Sequence, residues 1–237
     1  MKYSLIYLAA GNSRRFGKNK LLTEWKGRPL YEYGLNTLKE AVQGRADCEI
    51  FLVSQYPEIL QAHPEVVCVY SPKSTEGLSW SIRAGIECVL GREQKREQGN
   101  EQGNEQGNEQ ERECLELSDW QERDQWLLFL TADQPLVEKE TIQKILAKAE
   151  KVSGSEVDTE SVKIIRARYA GKEGSPVLFH ASLIPELQQL SGDEGGRSVI
   201  RAHREEMAFV DAADERQMTD VDTVEDLEKL EQSEECL

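Results

Sequence analysis

Short, unbroken apolar runs alternate along this chain with stretches whose apolar residues recur at helical spacing. Trp126-Leu127-Leu128-Phe129-Leu130 is the strongest run, and residues 3–8, 49–53 and 66–70 are others. A strand apolar on both of its faces suits only a sheet covered on both sides, which is the usual setting of parallel strands. Between the runs, Leu30, Tyr33, Leu38 and Val42 predict a helix after Pro29. Leu78, Ile82, Ile86 and Val89 predict one over 77–90, and Ile142, Ile145, Leu146 and Ala149 one over 138–150. Further strands are expected near 162–168, 176–179 and 207–210, and a last helix from Thr223 with Asp226 as a partial capping box. The alternation predicts an α/β fold with a mainly parallel sheet.

Two segments stand outside that pattern. Glu97-Gln98-Gly99-Asn100 repeats at 101–104 and 105–108, and a unit without an apolar member cannot join a core. Residues 91–124 are therefore expected as a surface insertion, disordered or weakly helical, within a single domain over 1–230, and 231–237 as an acidic tail. The net charge of −15 gathers largely in residues 92–113 and 211–237, so the rest of the chain is near balance. Such an acidic chain argues against nucleic acid or an anionic membrane as partner, while leaving room for a local anion site. No apolar stretch approaches a membrane span, and the run from Leu5 to Ala10 is too short for a signal peptide. The five cysteines, odd in number and without a C-x-x-C pair, read as free thiols in a reducing cytoplasm.

The densest chemistry follows the first strand. Residues 8–20 run Leu8-Ala9-Ala10-Gly11-Asn12-Ser13-Arg14-Arg15-Phe16-Gly17-Lys18-Asn19-Lys20. Small residues allow close backbone approach, amide N–H groups favour anions, and four cations add charge complementary to a triphosphate. Five residues, not four, separate Gly11 from Gly17, and Lys18-Asn19 follows, so this is not a Walker loop. Nor is it the dinucleotide pattern G-x-G-x-x-G. A solvated basic turn between strand and helix is the competing reading of the same residues.

The pattern L-A-A-G-x-S-x-R-x-G-x-x-K resembles the signature loop of the molybdenum-cofactor nucleotidyltransferases and their GT-A-like relatives, with Phe16 where that family usually has Met. Four further segments resemble the family in the same order: Gly77-Leu78-Ser79-Trp80-Ser81-Ile82, Thr131-Ala132-Asp133-Gln134-Pro135-Leu136, Gly174-Ser175-Pro176-Val177-Leu178-Phe179, and Gly192-Asp193-Glu194-Gly195-Gly196-Arg197. Asp220-Val221-Asp222-Thr223-Val224-Glu225-Asp226-Leu227 resembles D-I-D-T-P-E-D-L.

The resemblance implies that Leu8, Ala9, Ala10, Gly11, Ser13, Arg15, Lys20, Ser79 and Ser81 bind nucleotide, with Arg15 and Lys20 on its phosphates. It implies a Rossmann-like, three-layer fold of GT-A-like type, and Mg²⁺, with Mn²⁺ as an alternative, on Asp133 and on one of Asp220 and Asp222, of which Asp222 is favoured. Arg15, Lys20 and Asp133 are the implied catalytic set, and Gly174, Ser175, Pro176 and Arg197 the acceptor side, where Ser175 replaces a frequent His. The implied reaction moves CMP from CTP to the phosphate of molybdenum-bearing molybdopterin and releases pyrophosphate, with a molybdoenzyme or its maturation factor as a further partner. Ala10 favours CTP over GTP, since family members that use GTP tend to carry Gly there. One methyl group in a base pocket is worth roughly 1–3 kcal/mol. A guanylyl donor, a sugar or isoprenoid phosphate acceptor, or a non-catalytic cofactor carrier are the alternatives. His63, His180 and His203 fall outside these motifs and are expected to be structural or solvent-facing.

Overall fold

A computed structural model describes residues 1–13, 16–101, 124–153 and 162–234. Its strands are β1 (Lys2–Leu8), β2 (Glu24–Trp25), β3 (Arg28–Pro29), β4 (Cys48–Ser54), β5 (Val67–Tyr70), β6 (Gln125–Thr131), β7 (Ile164–Tyr169), β8 (Lys172–His180) and β9 (Met207–Asp211). Its helices are α1 (Leu30–Ala41), α2 (Pro57–Gln61), α3 (Leu78–Glu101), α4 (Lys139–Ser153), α5 (Ile184–Gln188), α6 (Arg197–Ala202) and α7 (Val224–Glu234).

Seven strands form one sheet in the order β5-β4-β1-β6-β8-β7-β9, and β2 pairs with β3 in a separate hairpin. β5, β4, β1 and β6 run parallel, β8 is antiparallel to both β6 and β7, and β7 is parallel to β9. The predicted mainly parallel α/β architecture is thus the one observed.

Alternation along β1 splits the core in two. Tyr3, Leu5 and Tyr7 pack with α1 and α4 on one face, and Ile6 and Leu8 pack with α3 and α5 on the other. This two-sided burial explains why β1 and β6 read as continuous apolar runs. α3 lies so close to β1 that a Cβ on Gly85 would come within 2.7 Å of Ile6 Cγ2. The helix is therefore seated directly on the strand that carries the loop at 8–13.

α3 does not end near residue 90 but runs to Glu101, into the segment expected as an insertion. Arg92 and Arg96 both bond Glu49 in β4, and Glu93, only 5% exposed, accepts from Lys2 and Arg96. These charge pairs hold the helix against the sheet where the apolar spacing gives out. The remainder of the low-complexity segment and the last three residues lie outside the described residues. Cys48, Cys68 and Cys88 are free thiols. Among the described residues no helix is long and apolar enough to cross a membrane.

Candidate active site

The ends of β1, β4 and β6 build the site. The N–H of Ala132 donates to Leu8 O at 3.0 Å and that of Ala9 to Val53 O at 2.8 Å, so the loop after β1 starts pinned between its two neighbouring strands. Three consecutive residues, the last of β4 and the two that follow it, then take three consecutive carbonyls of that loop. Ser54 Oγ donates to Ala9 O, Gln55 Nε2 to Ala10 O and Tyr56 OH to Gly11 O. Drawing these carbonyls toward β4 leaves the opposite edge of the loop for a ligand that accepts hydrogen bonds. This part of the site was missed in the sequence, because Ser54-Gln55-Tyr56 carries no charge and matches no motif.

The loop also sets Lys20. Ser13, held at a positive φ of 50°, accepts the Lys20 N–H on its Oγ at 3.0 Å. Lys20 opens a single 3-10 turn, Lys20–Leu22, capped by Asn19, whose Oδ1 accepts from Leu21 N at 3.1 Å. Its ammonium, on a residue only 5% exposed, donates to Asp133 Oδ2 at 3.0 Å, Asp222 Oδ1 at 3.0 Å and Val221 O at 2.9 Å. Burial alone would lower its pKa, but the two carboxylates outweigh that and raise it.

The carboxylates are themselves fixed. Asp133 follows β6 in a turn closed by Gln134 N to Thr131 O, and its own carbonyl accepts from Val221 N at 2.8 Å. Asp222 precedes α7, where Asp226 Oδ2 accepts from the N–H groups of Asp222 and Thr223 while Thr223 Oγ1 accepts from Asp226 N. That is a reciprocal capping box. Asp220 takes a different partner, accepting from Gln134 Nε2 at 2.8 Å.

A divalent ion suits this donor set. Asp133 Oδ1 is buried with no hydrogen-bond partner, and both carboxylates already face a single cation. No group of three or more His, Cys, Asp or Glu side chains gathers for a metal anywhere among the described residues, this site included, so the chain's own side-chain ligands here are the two carboxylates. Two carboxylates, with phosphates and water completing the shell, is a familiar provision for Mg²⁺ and for the similarly hard Mn²⁺.

Leu8, Ala10, Gly11, Lys20, Ser81 and Asp133, all singled out in the sequence, line one cavity. Asn12, Ser74, Thr131, Ala132 and Asp193 join them there. Ser81 Oγ donates to Ser74 Oγ at 2.7 Å and Ser74 Oγ to Ser71 Oγ at 2.8 Å, a buried hydroxyl chain that starts in the cavity wall. Ser79 is fully buried beneath it, its N–H on Gly192 O and its Oγ without a partner. Asp193 caps α3 from a distance by accepting from Leu78 N at 3.2 Å. Gly77, at φ 143°, permits that contact, since a Cβ there would stand 2.5 Å from Gly192 O. Ala9 and Ser13 support the loop without lining the cavity. Gly174, Ser175, Pro176 and Arg197 are also not among its walls. Arg14 and Arg15 lie outside the described residues.

None of the three histidines lines the cavity. His63 pairs with Tyr31, His180 with Ser182, and His203 with Glu186 and Glu206.

The profile of the MobA-like NTP transferase domain matches residues 5–207. Purine catabolism protein PucB of Bacillus subtilis (strain 168) is 23% identical over 228 residues, covering 95% of this chain and 94% of that protein. Among solved structures, Rv0371c of Mycobacterium tuberculosis H37Rv superposes with a TM-score of 0.66 at 19% identity, covering 98% of each chain. Its complex with manganese superposes with a TM-score of 0.61, at 19% identity and 98% and 100% coverage. Molybdopterin-guanine dinucleotide biosynthesis protein A of Archaeoglobus fulgidus gives 0.60 at 14% identity, covering all of both chains.

Proposed function

We propose that this chain, which belongs to the MobA-like NTP transferase family, moves CMP from CTP to the phosphate of molybdenum-bearing molybdopterin, giving molybdopterin cytosine dinucleotide and pyrophosphate. The observation that carries the reading is the meeting of Lys20, Asp133 and Asp222 at the mouth of the loop after β1. The loop from Ala10 to Ser13 receives the nucleotide, and Lys20, with Arg15, supplies positive charge to the β and γ phosphates. Asp133 and Asp222 hold Mg²⁺ or Mn²⁺, which when bound offsets charge on the transferring phosphoryl group and on pyrophosphate. Manganese in the Rv0371c complex supports a divalent ion in this fold.

An acceptor phosphate oxygen attacks the α-phosphorus in line, and the bond to the pyrophosphate oxygen breaks. A phosphate nucleophile is already ionised at neutral pH, so no protein base is required. The histidines, each engaged elsewhere, accord with that.

Ala10 on the cavity wall favours CTP, whereas the name of the Archaeoglobus protein favours a guanine nucleotide. A side-by-side assay with CTP and GTP, molybdenum-loaded pterin and Mg²⁺ separates them. Pyrophosphate and a dinucleotide product are expected with CTP. A preference for GTP replaces the donor, and release with neither nucleotide removes the reading in favour of a carrier. We place the protein in the cytoplasm, in keeping with its free thiols.

A further inference from the structure

We propose that Arg166, Arg204 and Arg197 form a preformed seat for a phosphate group of the acceptor, with Glu173 as an internal counter-ion that the phosphate displaces. The proposal rests on the transferase reading and adds the acceptor's binding residues, two of which belong to no motif.

Sheet register places the cluster. Arg166 in β7 stands opposite Val177 in β8, which stands opposite Phe129 in β6. Residues in register across neighbouring strands share a face. Val177 and Phe129 belong to the core beneath α3, so Arg166 projects on the α3 face. Thr131, two residues beyond Phe129, lines the nucleotide cavity. The loop at 192–196 spans the same face. Its Asp193 lines the cavity, and a Cβ on its Gly196 would lie 3.0 Å from Phe179 Cζ in β8, after which Arg197 opens α6. The cluster is thus one short loop away from the nucleotide.

Its charge is not balanced internally. Arg166 Nη1 donates to Glu173 Oε2 at 2.7 Å, and Arg204 Nη2 donates to Glu173 Oε1 at 2.8 Å, so two guanidinium groups share one carboxylate. Arg166 Nε donates to Gly174 O at 3.3 Å, within the segment implied for the acceptor. The Arg166 side chain is only 15% exposed. Burial pushes its pKa below the ordinary arginine value. Glu173 opposes this, and the charges of Arg204 and Arg197 add to it. A largely buried cation that shares its one carboxylate with Arg204, with Arg197 opening α6 on the same face, is matched by a doubly charged phosphate better than by one carboxylate.

Inorganic phosphate is the probe, titrated calorimetrically into the full-length protein with the nucleotide site filled by Mg²⁺ and a CTP analogue bridged by methylene between its α and β phosphorus atoms. Arg166→Met and Arg204→Met should each weaken phosphate binding at least about tenfold, while analogue affinity stays unchanged. Arg204 is largely exposed, so its variant serves if Arg166→Met fails to fold. Glu173→Gln should tighten phosphate binding, which a purely structural ion pair would not do. Phosphate affinity unmoved by either arginine variant, or not improved by Glu173→Gln, overturns the proposal. Failure of the analogue to bind counts against the transferase reading instead, and leaves the comparison among variants standing.

Discussion

The N–H of Val221 donates to the carbonyl oxygen of Asp133 across 2.8 Å. This bond ties the turn after β6 to the segment before α7. The carboxylates of Asp133 and Asp222 therefore meet on one ammonium through backbone geometry as well as through charge. The capping box at Thr223 and Asp226 fixes the second carboxylate in the same way that the end of β6 fixes the first.

Lys20 acts in this arrangement as the cation between the two acids. Lys20→Met is expected to lower stability by roughly 1–3 kcal/mol, between the values typical of exposed and buried ion pairs. Adding Mn²⁺ or Mg²⁺ should recover much of the loss, because an ion that binds only the folded state stabilises it. Thermal unfolding of the variant in chelator and in divalent salt checks this. A melting temperature insensitive to the ion would count against a metal between the carboxylates.

Ala10 is the residue on which donor choice is read. Ala10→Gly should raise the kcat/KM ratio of GTP to CTP by roughly tenfold or more, the effect of one methyl group in a close-fitting pocket. Steady-state kinetics with both nucleotides measures it, and an unchanged ratio would move the base away from Ala10.

His203 gives a pH dependence of stability. Burial lowers its pKa, but bonds to Glu206 and Glu186 outweigh this and leave it above the ordinary value. A raised folded pKa means that its stabilising contribution is complete below about pH 6.5 and is lost as pH rises through the folded value. The melting temperature of wild type minus that of His203→Gln should therefore be largest in mild acid and shrink toward alkaline pH. A difference that grows with pH would reverse the assigned sign.

Periodicity alone made β1, β6 and the amphipathic helices legible, since two-sided burial and one-sided burial leave different patterns in Leu5–Leu8 and in Ile142–Ala149. The extension of α3 was not legible, because charge pairs of Arg92, Glu93 and Arg96 with Lys2 and Glu49 hold it and those partners are remote in sequence. The short helices α2 and α5 escaped for want of length. At the site, Lys20 and Asp133 were singled out by the resemblance of their segments to family motifs, and Asp133 also by its place directly after a buried strand. Which aspartate of 220 and 222 faces Lys20 depended on the turn before α7. Ser54, Gln55 and Tyr56 act through uncharged hydrogen bonds to backbone that composition cannot reveal. Arg166 and Glu173 form their cluster only through the pairing of β7 with β8.

The pairing of Asp133 with Asp222 is tested most directly by pyrophosphate release from CTP, with molybdenum-loaded pterin and saturating Mg²⁺, in wild type, Asp133→Asn and Asp222→Asn. Each substitution should cost at least about a hundredfold in kcat, as the loss of a group that stabilises developing charge does. The double variant should be little worse than either single one, as expected of residues acting as a unit. Turnover near the wild-type rate in either single variant would contradict the shared site.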